Sequence, residues 1–147
     1  MRVAIGSDHA GLAFAAMARA VVEALGHEVV AYVPEPGERV DYPDHAAAVA
    51  QDVSEGRAAF GILVCGTGIG MSIAANKFRG VRAALCHGSY EAQMAREHND
   101  ANILCLGERV IGAGVAESCM RTFLTTPFGG GRHGDRLAKI AQLESTS

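Results

Sequence analysis

The sequence predicts an α/β protein of three layers: a doubly wound sheet of five parallel strands with helices on both faces. Two observations carry this reading. Short apolar runs at residues 2–6, 28–33, 60–64, 82–86 and 102–106 alternate with stretches of helical periodicity at 12–25, 46–53, 71–77, 90–97 and 115–124. Strands separated by helices at this spacing form βαβ units, and such sheets are parallel and covered on both sides. The second observation is composition: half of the chain is hydrophobic (49%), 20% is charged, and small residues dominate, with 18 glycines. Small residues let helices lie close on a sheet and let bare backbone approach a ligand. A last polar helix is expected near 136–143.

A chain of 147 residues makes a single domain, 1–147, able to bury its own core. Five parallel strands in a chain of this size are expected in the order 2-1-3-4-5, with a switch point between strands 1 and 3. Ligands bind in the crevice at the carboxyl ends of such a pair. The turns after strand 1 (Ser7-Asp8-His9-Ala10-Gly11) and strand 3 (Cys65-Gly66-Thr67-Gly68-Ile69-Gly70) should therefore lie side by side. They are also the two chemically richest segments of the chain. The stretch 34–43, with three prolines, reads as an exposed loop near that active edge.

Charge narrows the function classes. With 13 Lys and Arg against 16 Asp and Glu the net charge is −3, which gives no general attraction to nucleic acid or membrane. No apolar stretch reaches the length of a membrane span, and no signal-peptide pattern opens the chain. Cys65, Cys86, Cys105 and Cys119 form no C-x-x-C pair. The last three sit in apolar runs as small buried hydrophobes, so a cytoplasmic, reduced protein is expected.

In the turn after strand 3, three alternate glycines open a helix. Backbone N–H groups and the helix terminus together suit an anion, either a phosphate or a developing oxyanion. A tight ligand-free turn is the other reading. A cysteine at the first position favours the site, because the same field favours a thiolate over a thiol at Cys65. Familiar glycine-loop readings fail on spacing. Met71 stands where a dinucleotide fingerprint needs its last glycine, the G-K-[ST] of a phosphate-binding loop is missing, and Met71 again stands where a cysteine phosphatase needs an arginine.

Asp8 and His9, after strand 1, suit ligand hydroxyl or phosphate contacts; for Asp8, capping the next helix is the other reading. His98 lies at the junction of a helix with strand 5, away from the carboxyl ends. It would reach the crevice of its own subunit awkwardly, so a partner subunit bringing it there is attractive. His27 reads as surface, His45 as a helix-start residue, and His87 and His133 are left without a role. No His, Asp or Glu pair has convincing metal spacing, so no metal site is expected. After Gly129-Gly130-Gly131, Arg132 and Arg136 share one face if a helix begins there, and two guanidiniums can clamp a phosphate. An ordinary solvated helix end is the alternative. Arg109 is a weaker candidate for the same task.

Taken with Ala74-Ala75-Asn76-Lys77, His98-Asn99-Asp100 and Gly130-Gly131-Arg132-His133, the two turns make the chain closely resemble type B ribose-5-phosphate isomerases. The wider family includes galactose-6-phosphate isomerase subunits. The resemblance covers nearly the whole chain. It implies a Rossmann-like fold, a homodimer or dimer of dimers with sites built from both subunits, and no metal or organic cofactor. Position by position, it implies that Cys65 is the base moving a proton between C1 and C2. Gly66, Gly68, Ile69 and Gly70 match the anion hole for the enediolate, and His98 with Thr67 matches the ring-opening group. Asp8 and Asn99 match substrate contacts, and Tyr42 a residue near the sugar. His9, Arg109, Arg132 and Arg136 match the phosphate-binding set. One branch of the family uses a glutamate base a few residues on; Cys65 places this chain in the other.

The chemistry of the residues agrees. Aldose–ketose exchange needs a base for a carbon-bound proton, donors for the oxyanion, a ring-opening acid or base and a phosphate anchor. Pentose 5-phosphate is the expected substrate, with tetrose and hexose phosphates as alternatives. Two other classes stay open: a non-catalytic phosphosugar- or nucleotide-binding module such as a flavodoxin-like carrier, and a thiol hydrolase pairing Cys65 with His98.

Overall fold

The computed structural model describes residues 1–145. The elements follow one another as β1 (Arg2–Ser7), α1 (Leu12–Ala24), β2 (Glu28–Tyr32), α2 (Tyr42–Ser54), β3 (Phe60–Cys65), α3 (Ile69–Ala75), β4 (Ala83–Leu85), α4 (Ser89–Glu97), β5 (Ile103–Gly107), α5 (Ala113–Thr125) and α6 (Arg132–Ser145). All strand pairs are parallel.

Alternation along the strands divides the core into two layers. Val3, Ile5, Ile62, Val64, Leu104 and Leu106 point toward α1, α4 and α5, where they meet Phe14, Ala95, Met120 and Phe123. Ala4, Leu63, Cys65, Ile103 and Cys105 point the other way, onto Val49 and Val53 of α2 and Met71 of α3. Side chains two residues apart share a face of a strand, so a run that is apolar at every position is buried on both sides. Glycine makes the close layers possible. A Cβ at Gly61 would sit 2.6 Å from a methyl of Val49 in α2.

The sheet order is β2-β1-β3-β5-β4, so the expected 2-1-3-4-5 is corrected at its last two places. Burial explains the exchange. All five residues of β5 are buried, whereas the three residues of β4 are only half-buried. The longer, wholly apolar strand takes the interior position, and the short one takes the edge. The consequence reaches the site, because Cys65 now lies opposite Gly107 at the end of β5.

Two helix starts are also corrected. Helix α2 begins at Tyr42 rather than 46, since Asp41 stands extended at its N-cap with proline in the first turn. The loop expected over 34–43 therefore ends early, and His45 lies within the helix, its Nδ1 against the Tyr32 carbonyl. Helix α6 begins at Arg132 rather than 136 and buries none of its residues. Among the described residues no helix is long and apolar enough to cross a membrane.

Candidate active site

The turns after β1 and β3 meet as expected. Ser7 lies opposite Val64 in the sheet, and the Asp8 N–H donates to the Val64 carbonyl at 3.3 Å. Above them opens a cleft of about 420 Å³ lined by Asp8, Tyr42, Cys65, Gly66, Thr67, Ile69, Gly70 and Ile73. Cys65 ends β3 and is 5% exposed. Its Sγ accepts the Gly68 N–H at 3.1 Å. The peptide geometry that aims this N–H needs glycine. Gly68 has φ +77, and a Cβ there would lie 2.9 Å from the carbonyl carbon of Leu106.

The walls of the cleft come from three elements. Tyr42, at the start of α2, lays its ring on Gly70, where a Cβ would come within 2.5 Å of Cζ. Thr67 Oγ1 accepts the Ile69 N–H at 3.2 Å and is held at the rim. Asp8 Oδ1 accepts the Ala10 N–H at 2.9 Å, which tightens its own turn. Asp8 does not cap α1, whose N-cap is Gly11 without a side-chain bond.

The strand exchange delivers a cation. Glu108 and Arg109 donate their backbone N–H groups to Cys65 and Gly66 carbonyls at 3.0 Å each. The Arg109 guanidinium lies over Gly66, 3.4 Å from where a Cβ would stand. His9 stands on the β1 turn, and its Nδ1 is buried without a hydrogen-bond partner. Glu108, which the sequence reading missed, takes the Phe14 N–H at 2.8 Å and ties this loop to the first turn of α1.

The remaining candidates form a second cluster at the other end of β5. His98 follows α4 and precedes β5, so the full length of that strand, roughly 16 Å, separates it from the Cys65 end. His98 stacks on His133 with ring centroids 4.2 Å apart and planes inclined by 15°. Desolvation first, then the nearby His98, Arg132 and Arg136, hold His133 below the usual histidine value, with Glu97 opposing. Arg132 and Arg136 are four apart in α6 and exposed. Asn99 lines a separate cleft of about 740 Å³ between α6 (Leu137, Ile140) and the body (Val81, Ala83). Within one chain, then, Cys65, Thr67, Asp8, Tyr42 and Arg109 are assembled, and His98, Asn99, Arg132 and Arg136 are not brought to them.

The other three cysteines do not line this cleft. All four are free and buried. Burial pushes Cys86 up to about 12 and raises Cys105 and Cys119 as well. Among the described residues no group of three or more His, Cys, Asp or Glu side chains could hold a metal ion.

Known proteins match this chain over nearly its whole length. The Ribose/Galactose Isomerase family model matches residues 3–140. Ribose-5-phosphate isomerase B of Escherichia coli K12 is 41% identical over 154 aligned positions, covering 97% of this chain and 96% of that one. Among solved structures, the type B ribose 5-phosphate isomerase of Trypanosoma cruzi superposes with a TM-score of 0.96 at 49% identity, covering 100% of both chains. The ribose-5-phosphate isomerase B of Clostridium thermocellum does so with a TM-score of 0.96 at 47% identity, covering 99% of both. A glycine turn holding a cysteine beside the β1 turn, on a fold matched from end to end, leads to one assignment: the chain belongs to the ribose/galactose isomerase family.

Proposed function

We propose that residues 1–147 form one isomerase domain that interconverts an aldose phosphate and its ketose, with ribose 5-phosphate and ribulose 5-phosphate as the pair and Cys65 as the base. The observation that carries the reading is the Gly68 N–H directed at Cys65 Sγ, at the mouth of a cleft walled by Asp8, Tyr42 and Thr67. The N–H is aimed at the sulfur that acts as the base in this reading, and a thiolate is the form able to take a proton.

The reaction needs little else. With the sugar ring opened by His98 assisted by Thr67, the thiolate takes the proton from C2. The electrons of that C–H bond form the C1–C2 double bond, and the carbonyl electrons move onto O1. The N–H groups of Gly66 and Gly70 hold the oxyanion, since those of Gly68 and Ile69 are given to Cys65 Sγ and Thr67 Oγ1. The thiol then returns the proton to C1 while the O2 proton passes to O1, leaving the ketone at C2. Asp8, Asn99 and Tyr42 hold the sugar, and His9, Arg109, Arg132 and Arg136 hold the phosphate so that the two carbons stay at the base. These groups supply the chemistry with no cofactor, and turnover is expected to persist with a chelator present.

A second copy of the chain completes the site. The separation of the His98 cluster from Cys65 supports this, as does the apolar stripe of α6, whose Leu137 and Ile140 face an open cleft. A homodimer, alone or paired into a dimer of dimers, places one protomer's His98, Asn99, Arg132 and Arg136 beside its partner's Cys65. The free buried cysteines suit a cytoplasmic setting.

The test is complementation. Cys65→Ala and His98→Asn are each expected to lose isomerase activity on ribose 5-phosphate. Mixed and reassembled in equal amounts, half of the dimers are hybrids with one intact site, restoring about a quarter of wild-type activity. An active Cys65→Ala protein overturns the base, and two dead variants that restore nothing overturn the shared site. A panel of four-, five- and six-carbon sugar phosphates tests the substrate.

A further inference from the structure

Arg96 has no place in the chemistry proposed above, yet it is a charged side chain only 6% exposed. A buried guanidinium persists only where its donors are satisfied, and its partners come from three segments. Nη1 donates to Asp100 Oδ1 at 2.8 Å and to the Ala101 carbonyl at 2.7 Å. Nε donates to the Thr126 carbonyl at 3.2 Å. The guanidinium carbon lies 4.7 Å from the centroid of the Phe60 ring and 5.8 Å from that of Phe123, where ring faces attract a cation.

Each partner leads to one half of the His98 cluster. Asp100 and Ala101 form the corner by which the chain leaves α4 through His98 and Asn99. Asp100 holds φ +45 there, a left-handed conformation that a non-glycine residue keeps only when its surroundings impose it. Arg82, just before β4, braces the same corner, its Nε donating to the Asp100 carbonyl at 2.9 Å. Thr126 is the residue by which the chain leaves α5. Three residues on, the Gly129 N–H donates to the Glu97 carbonyl at 2.9 Å, so close that a Cβ on Gly129 would stand 3.0 Å from that oxygen. The chain then enters α6, where His133 lies on His98.

We infer that Arg96 is a positioning residue, a clamp that fixes the arm bearing Arg132, His133 and Arg136 against the corner bearing His98 and Asn99. The inference rests on the proposed roles of those residues. It adds that their mutual geometry is set by one guanidinium reaching both segments at once. Lysine cannot replace it, because a single ammonium on a flexible stem lacks the fork that spans Asp100, Ala101 and Thr126.

The experiment compares wild type, Arg96→Lys and His98→Asn for cooperative thermal melting, for kcat and KM on ribose 5-phosphate, and for competitive inhibition by inorganic phosphate, all well below the melting transition. The clamp predicts a folded Arg96→Lys protein whose kcat falls about tenfold or more, as sub-ångström misplacement does, and whose inhibition by phosphate weakens in parallel. A folded Arg96→Lys protein with unchanged kcat and unchanged phosphate inhibition, beside a crippled His98→Asn, overturns the clamp alone. An unimpaired His98→Asn overturns the ring-opening assignment and the clamp with it. Should Arg96→Lys fail to fold, Asp100→Asn decides on the same readouts. Asparagine tolerates the left-handed corner but withdraws the charged acceptor.

Discussion

Replacing Gly68 with alanine separates what the glycine turn contributes to stability from what it contributes to chemistry. Two costs follow from the geometry. The first is conformational: φ +77 costs an L-residue about 1–2 kcal/mol. The second is steric. The new Cβ would lie 2.6 Å from Leu85 Cδ1 and 2.9 Å from the Leu106 carbonyl carbon. The leucine tip can swing away, but the strand backbone cannot, so the turn itself must retreat by about half an ångström at roughly 1–3 kcal/mol. The retreat moves the Gly68 N–H away from Cys65 Sγ, and misalignment of one such donor costs about 10²-fold in kcat. Gly56 is a built-in control, since it has the same φ of +77 with nothing within 4 Å of its would-be Cβ. Gly56→Ala therefore carries the first cost without the second. Urea denaturation should place Gly68→Ala about 1–3 kcal/mol below Gly56→Ala, and steady-state isomerisation should fall only in Gly68→Ala. Equal stability losses with full activity in both variants would refute the reasoning.

Two further expectations follow from the side chains. Brief treatment with iodoacetamide at pH 8 should label Cys65 in proportion to the activity lost, while Cys86, held up near 12 by burial, stays unmodified; peptide mass mapping that finds Cys86 labelled first would contradict this. His133 is held below its ordinary 6.5, so the unfolded chain takes up that proton first and stability falls as pH drops below 6.5, levelling once the pH is under the lowered folded value. His133→Asn should flatten that slope in denaturation measured between pH 5 and 7, and a slope unchanged by the substitution would remove His133 as its source.

Much of this protein is legible in the chain because periodicity and turn chemistry are local. Alternation of 60–64 with 71–77 and 102–106 with 115–124 is enough to demand a parallel sheet with helices on both faces. The run Cys65–Gly70 marks a backbone that must bare its N–H groups whatever surrounds it. The Asp8 and Cys65 turns were expected side by side because the switch point of such a sheet follows from topology alone.

Only the tertiary structure decided which strand lies inside. Residues 82–86 and 102–106 look alike as short apolar runs, and their places depend on a competition for burial that neither run contains by itself. The outcome set Gly107 beside Cys65 and so brought Arg109 over Gly66. The same holds for the helix at 132, whose extra first turn is secured by docking of Gly129 on Glu97, whereas the start at 42 rests on Pro43, a local signal. The gap between Cys65 and His98 was foreseen from the side of the sheet on which each falls. The joining of His98 to His133 and of Arg96 to Thr126 was not, because contacts between residues some 30 positions apart are made by the packed core, and a local pattern carries no record of them.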